Sequence, residues 1–429
     1  MPTLNQSRPL RYVAFFYLYV MQGLPSGFAL IAVTNYLAAE GLTPKAIASF
    51  GAVVGLPWSV KFLWGPLVDR FQGWAMGRRR PWVLLAQTLA LLASLGVLLT
   101  TDPVAGFDRL LWAFVLHGVF ASLQDVSVDA MAITVTPEAE RGRVNALMKI
   151  GMATGQAIGG AGLAYLLRHG GAPPGGFQTA ALVQSVVLGG FTLVTLFLRE
   201  QPTDAFFSTR YVPGATVPVV SQAIRPLLRE LGRALLAPQA VMLFVAVAAV
   251  FIGERLFQRV YYLHLIQKLG WTDTSVSVIS GTWGTLLAVS IALAGGFLSD
   301  RIGARRLLLA VGLGMAALHT GYGLLGNFWP NPAVVTTALV VQKTLEPLFS
   351  IAALPVLMAL CRPSVAGAQF AVYMALSNQA DVLGIWLSGQ VFSTFSAPLI
   401  AVGCGLAMLL ATVLVGVVVR WERRVVSVG

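Results

Sequence analysis

The 429-residue chain is 57% hydrophobic and only 11% charged, with a mean hydropathy of +0.77, whereas a soluble domain carries about 25% charged residues. That composition excludes a water-soluble core and fits a polytopic membrane protein, in which helices of about 20 apolar residues cross hydrocarbon with their backbone groups paired internally. The net charge of +12 is no nucleic-acid footprint, because the basic residues recur in alternate loops, as the positive-inside rule requires with both termini in the cytoplasm.

Hydropathy windows predict twelve transmembrane helices over 11–38, 45–66, 81–101, 109–133, 144–167, 178–198, 237–263, 275–298, 305–326, 333–360, 367–392 and 398–420. The expected fold class is an all-α membrane protein of two six-helix bundles, residues 1–200 and 237–429, joined by a cytoplasmic linker over 201–236. The start, "MPTLNQSRPLRYVAFFYLYVMQG", runs straight into a long apolar segment and reads as a retained first helix. The linker alternates Leu227, Leu228, Leu231 and Leu235 with Arg225, Arg229 and Arg233, a pattern for a helix on the inner membrane surface or a solvated linker helix. Cys361 and Cys404 imply no disulfide framework.

A charge near the bilayer centre costs about 2.5–3.5 kcal/mol, so each intramembrane ionisable residue reads first as functional. In the first helix, Gln22, Pro25, Ser26 and Asn35 predict a kinked segment lining a cavity, with Gln22 a substrate contact. Lys61, near the inner end of the second helix, is expected to snorkel. The fourth helix carries Gln124 as a substrate contact and Asp125 and Asp129 as proton carriers, the two carboxylates sharing one face at i, i+4 spacing. The alternative for Asp129 is an ion pair with Arg141, Arg143 or Lys149.

Gly151, Gly155, Gly159 and Gly160 give the fifth helix close-packing spacing. In the seventh, Glu254 is a proton-coupling candidate and Arg255 a binding site for an anionic group, while Arg259 shares the face of Arg255; the alternative is that both arginines snorkel beside Tyr261 and Tyr262. The tenth helix contains "VQKTLEP", where Lys343 (substrate) and Glu346 (proton) stand three residues apart and are expected to neutralise each other as a switchable pair, with Pro347 loosening the helix. The eleventh offers Asn378, Gln379 and Trp386 to substrate and Asp381 to a proton.

An internal repeat links the halves. "GPLVDR" with "GRRR" (Gly65, Asp69, Arg70, then Gly77 to Arg80) recurs as "GFLSDRIGARR" (Gly296, Asp300, Arg301, Gly303, Arg305, Arg306). At these residues the chain resembles the major facilitator superfamily, whose G-x-L-x-D-R-x-G-R-R/K loop the second copy matches and the first departs from by an inserted "FQGWAM". The resemblance implies gating roles for Asp69, Arg70, Asp300, Arg301 and Arg305. "KFLWGPLVDR", "ASLQDVSVDA", "PEAERGRVNAL" and "GAQFAVYMALSNQADVLG" are similar to the AmpG branch of inner-membrane muropeptide permeases, which includes acetyl-CoA transporters and siderophore permeases. "GMATGQAIGG" nearly matches a drug and proton antiporter motif of that superfamily, but Gln156 stands in place of its proline and favours import.

The expected function is therefore proton-coupled transport of a small polar or anionic solute, muropeptide-like or siderophore-like, into a bacterial cell across its inner membrane, by a monomer needing no cofactor or metal. The alternative is an exporter of drug-like compounds or metabolites. An enzyme is not expected, since His117, His169, His264 and His319 are scattered and no nucleophile or metal motif accompanies them.

Overall fold

The computed structural model describes residues 2–71, 73–137, 140–171, 175–208, 210, 224–362 and 366–426. These are helical, in the order α1 (Arg8–Gly27), α2 (Thr34–Ala39), α3 (Pro44–Ser59), α4 (Trp64–Arg70), α5 (Arg80–Leu98), α6 (Phe107–Val135), α7 (Arg141–Ala157), α8 (Leu163–His169), α9 (Gly175–Leu196), α10 (Ile224–Leu235), α11 (Pro238–Gln267), α12 (Asp273–Val278), α13 (Thr285–Ile302), α14 (Ala304–Leu324), α15 (Pro332–Ala359), α16 (Ala366–Val391) and α17 (Ala397–Val426). Among the described residues, eleven helices are long and apolar enough to cross a membrane. The 26-residue α16 stands outside that set; it covers the eleventh predicted helix and carries Asn378, Gln379 and Asp381.

Local chemistry explains where several helices begin. Ser7 accepts from the Leu10 N–H at the start of α1, Asn331 accepts from the Ala333 N–H at 2.9 Å at the start of α15, and prolines occupy the first turns of α5, α11 and α15. Three π-helical turns, Phe28–Val33, Ile158–Gly162 and Ile279–Gly284, interrupt what would otherwise be single long helices. The first lies just past Pro25, where the sequence predicts a break.

The helices gather into two units. Unit 1 comprises Met1–Glu40, Val53–Val220 and Asp273–Thr282, so it includes a short piece from the later half of the chain. Its core is Phe15, Leu18, Val83, Val128, Met131, Val144 and Met148. Within it α1 and α7 run against one another on glycine: a Cβ at Gly151, Gly155 or Gly159 would strike the Phe16, Val20 or Leu24 carbonyl, and one at Gly23 or Gly27 would strike the α7 backbone. The four-residue spacing places these glycines on one stripe, as the sequence reading expects.

Glu200 and Arg80 tie one end of unit 1 together. One Glu200 carboxylate oxygen accepts from the N–H groups of Arg79 and Arg80, each at 2.7 Å, at the start of α5, where the helix dipole favours an anion. Burial still holds the Glu200 carboxyl above the ordinary carboxylate range. Arg80 is wholly buried, and its guanidinium donates to the carbonyls of Leu196, Ala205 and Phe206. Gly77 and Gly303, the second glycines of the repeated loop, have φ of +119° and +86°. That left-handed region explains a glycine in both copies.

Unit 2 comprises Gly41–Ala52, Ser221–Thr272 and Trp283–Gly429. Its core joins Leu243, Val247, Val250 and Phe251 of α11 to Leu308 and Met315 of α14, Phe349 and Ala353 of α15, Tyr373 of α16 and Met408 of α17. In the linker, α10 is helical with Arg229 and Arg233 exposed, while the side chains of Arg225, Leu227 and Leu228 lie outside the described residues. Cys361 and Cys404 are both free thiols.

A pair of substitutions separates packing from propensity. Gly155→Ala must push α1 from α7 and is expected to destabilise by about 1–3 kcal/mol. Gly190→Ala, in α9 with nothing within 4 Å of its added methyl, is expected to be neutral or stabilising by up to about 1 kcal/mol. Thermal melts of the two variants in one detergent check the opposite signs.

Candidate functional site

In unit 1, α1, α6 and the turn before α4 bring the predicted polar residues together. Lys61 does not snorkel: its Nζ lies 2.7 Å from Asp125 Oδ2, and the Asp125 side chain is only 6% exposed. Asp129 makes no ion pair with Lys149; it accepts a hydrogen bond from the Tyr19 hydroxyl of α1. Gln124 donates to the Leu18 carbonyl at 3.4 Å, and Gln22, one turn further along α1, is buried with both amide atoms unpartnered. The two carboxylates that share a face thus have different partners, a cation for one and a neutral hydroxyl for the other.

In unit 2, α11, α15 and α16 converge on Arg255. Its Nη2 lies 2.7 Å from Glu346 Oε2 and its Nε 3.1 Å from Asp381 Oδ1, with Nη2 reaching Asp381 Oδ2 at 3.5 Å and Nη1 donating to Gln258 at 3.2 Å. The planar fork of arginine suits this two-sided grip better than an ammonium would. Gly384 makes it possible, since a Cβ there would stand 2.9 Å from the Arg255 Cβ and hold α16 away from α11. The three side chains are 23–28% exposed, which leaves them within reach of a solute or a proton.

The expected Lys343 to Glu346 pair does not form, because Glu346 turns to Arg255. Among the described residues Lys343 makes no ion pair; its stem passes over Gly284, whose missing side chain leaves room for it. Helix geometry permits a contact at i+3, but the longer-range guanidinium takes the carboxylate. Arg255 and two carboxylates carry a net charge of −1, so either the Lys343 ammonium or a proton must complete the balance. Nor do the arginines snorkel, as Arg259 is only 8% exposed and Tyr261 fully buried.

Glu254, the residue before Arg255, points to a different partner. Its Oε2 is 3.1 Å from Nε2 of His319 on α14, and both side chains are 2% exposed. The other His319 nitrogen, Nδ1, is 2.8 Å from the Met315 carbonyl. A carbonyl only accepts, so Nδ1 carries the ring proton and Nε2 faces the carboxyl. His319 was not singled out by sequence, being 65 residues from Glu254 with no motif around it.

Unit 1 holds a further ionic node that sequence reasoning missed. Arg168, at the end of α8, lies 2.7 Å from Glu40 Oε1 and 3.1 Å from Asp273 Oδ2, and its guanidinium stands 4.5 Å over the Tyr36 ring. One turn away, Asn35 donates to Ser277 at 2.9 Å. The node ties the first and fifth predicted helices to the start of the eighth. The only available signal was that Arg168 is one of few basic residues in the loops assigned outside.

Other predicted residues stand apart. Trp386 is 44% exposed and lies about 140° around α16 from Asp381, with Gln379 on the Trp386 side. Asn378 lies nearer the Asp381 face and is half-buried. Of the gating set, the side chains of Asp69, Arg70 and Asp300 lie outside the described residues, Arg301 is exposed and Arg305 half-buried.

Residues 14–258, more than half of the chain, match the Major Facilitator Superfamily. The chain is 29% identical over 387 residues to the Anhydromuropeptide permease of Escherichia coli (strain K12), covering 87% of this chain and 73% of the permease. It is 22% identical to the AmpG 4 transporter of Rickettsia felis, with 86% of each covered. Among solved structures it is similar to an inward-facing, unoccupied bacterial homolog of the human lysosomal transporter Spinster (TM-score 0.66, 16% identity, 96% of both chains). It is also similar to the nucleoside transporter NupG (TM-score 0.67, 13% identity, 95% of this chain and 98% of that one).

If Arg255 is what allows two carboxylates near one another, Arg255→Met is expected to cost up to about 3 kcal/mol, the partial exposure of the cluster trimming the figure. Adding Glu346→Gln and Asp381→Asn to the same chain is expected to recover most of the loss in a thermal melt. A single Arg255→Met variant as stable as the wild type would show that the three groups do not interact.

Proposed function

Because the chain belongs to the Major Facilitator Superfamily and is a transporter with AmpG-like permease relatives, we propose that it imports an anhydromuropeptide-like solute across a bacterial inner membrane together with protons. The observation that carries the reading is the charge cluster on Arg255. A fold held only by packing has no use for one guanidinium and two carboxylates in a membrane-spanning unit, since apolar side chains of the same volume would be cheaper to insert. Their partial exposure and the residual negative charge suit a site that exchanges a proton or a charged solute group for an internal partner. Arg255 and Lys343 are the cations for an acidic solute group; Glu346 and Asp381 are the carboxylates they would release. In unit 1, Gln22 and Gln124 supply neutral polar contacts, while Asp125 and Asp129 can each change partner.

Glu254 and His319 have the geometry of a proton store. With Nδ1 committed to a carbonyl, a bare Nε2 facing a bare carboxylate would set lone pair against lone pair in a dry site, at the desolvation penalty of both. One proton between them satisfies both atoms, whichever atom carries it. The pair is therefore the strongest of the five carboxylate candidates for holding a proton that Arg255 does not already replace.

The Arg168 node supports alternating access. By the loop charges it lies on the outer side, and it must open for a solute to enter from there. In a background without Cys361 and Cys404, a thiol at Ser277→Cys, a fully buried position beside Asn35, is expected to react several-fold faster with a membrane-impermeant maleimide once Arg168→Gln is added. Unchanged labelling would remove the node from the gate.

The transport reading itself is tested with purified protein in proteoliposomes. An inwardly directed proton gradient is expected to drive accumulation of labelled anhydromuropeptide, and an uncoupler to abolish it. Accumulation that survives the uncoupler would end the proton claim; absence of uptake alongside intact binding of another solute class would end the substrate claim.

A further inference from the structure

Unit 2 contains a cavity of about 390 Å³ that is separate from the Arg255 cluster. Phe257 of α11, Leu318, His319 and Tyr322 of α14, and Ala333, Val334, Thr337, Ala338, Val341, Gln342 and Leu345 of α15 line it. Arg255, Lys343, Glu346 and Asp381 are absent from that lining. Phe257 stands about 200° around α11 from Arg255, which is why the two regions do not merge. The volume falls within the range of small-molecule sites, about 300–1,000 Å³. Leu318 at the lip is 48% exposed, and Ala333 and Thr337 are exposed as well, so the cavity opens outward from a membrane-spanning part of the chain.

The polar groups in the wall are not equivalent. The Tyr322 hydroxyl donates to Tyr261 at 2.5 Å, and His319 is hydrogen-bonded through Nδ1 to the Met315 carbonyl while its Nε2 faces Glu254 Oε2 at 3.1 Å. Gln342 is 95% buried, and neither its amide nitrogen nor its amide oxygen has a hydrogen-bond partner. Leaving both atoms of a buried carboxamide unpaired costs about 1–3 kcal/mol for each group, and a leucine would fill the same helix position without that cost. The unpaired amide edge is the feature a ligand would complete.

We propose that this cavity is a binding site for a neutral, membrane-borne molecule that is mostly apolar and carries one amide-type edge, meaning a donor and an acceptor side by side. A carboxamide presents an acceptor oxygen next to a donor nitrogen, so its complement is another carboxamide, a lactam or an un-ionised carboxylic acid. A lipid tail offers neither atom. An ester offers only acceptors and leaves the Gln342 oxygen unpaired. An anion gains little, because the one basic side chain in the lining, His319, already faces the Glu254 carboxyl. Phe257, Tyr322 and the α15 aliphatic residues supply the apolar walls, and entry is lateral, from the bilayer. The inference does not depend on the transport reading, and its test needs no transport.

A photoreactive diazirine analogue of dodecanamide, with the purified full chain in phosphatidylcholine nanodiscs, provides the measurement. Labelling is expected on peptides of α14 and α15, competed by dodecanamide and not by methyl dodecanoate, and weakened roughly tenfold by Gln342→Leu. Ala338→Phe, which fills the cavity and leaves the amide in place, is expected to abolish labelling and keeps the test open if the leucine variant does not fold. Equal competition by the ester would reduce the cavity to a lipid groove, and labelling that persists in either variant would overturn the site.

Discussion

A guanidinium in the middle of a membrane-spanning helix can be accommodated only where acceptors converge on it, and Arg255 imposes that condition on unit 2. Glu346 must come from α15 and Asp381 from α16, so both helices are fixed in rotation as well as position relative to α11. The glycine at position 384 allows the approach on one side. On the other, α15 carries Pro347 directly after Glu346, where the proline removes a backbone donor and eases adjustment of the turn. The same rotation that delivers Glu346 to Arg255 turns Lys343 toward Gly284 and leaves its charge without an ion-pair partner among the described residues. An unpaired ammonium beside a carboxylate pair that shares one cation is a poised arrangement: a solute anion, a proton or Lys343 itself can each settle the balance.

Unit 1 solves a related problem with different chemistry. Its carboxylates are served by an ammonium and a phenol instead of one shared guanidinium, and its helices approach more closely because α1 and α7 meet on glycine. Close backbone contact makes that interface stiff, since no side chain can be compressed to absorb movement. The π-helical turns that follow α1 and α7 sit at the end of this stripe, where the chain departs from regular geometry. Rigid glycine contact beside irregular turns defines where bending is cheap and where it is costly.

Much of this was legible in the sequence. Composition fixed the solvent; hydropathy and length placed the helices, apart from boundaries of a few residues; glycine spacing marked the fifth helix for close packing; and the rule that intramembrane charges are expensive singled out Arg255, Glu346, Asp381, Asp125 and Glu254. What sequence could not supply were partners. Lys343 and Glu346 are neighbours on one helix, and local spacing made them a pair; tertiary packing gave Glu346 to a residue 91 positions earlier. His319 looked like one of four scattered histidines until α14 set it against Glu254. Lys61 looked like an interface residue and Arg168 like an ordinary loop residue because exposure cannot be read from hydropathy alone, and Glu200 gave no signal because its value lies in meeting the start of α5. The gating role implied by the repeated loop rests on Asp69, Arg70 and Asp300, so there the structure explains the glycines and not the acids.

The account's central claim is that the carboxyls facing Arg255 and His319 serve coupling as well as architecture. The most direct measurement compares two activities of a Glu254→Gln variant in proteoliposomes: gradient-independent exchange of labelled anhydromuropeptide and gradient-driven accumulation of it. The account predicts that exchange persists while accumulation is lost, because the variant can still bind and reorient but has lost the carboxyl that faces His319. Accumulation at the wild-type level would contradict it.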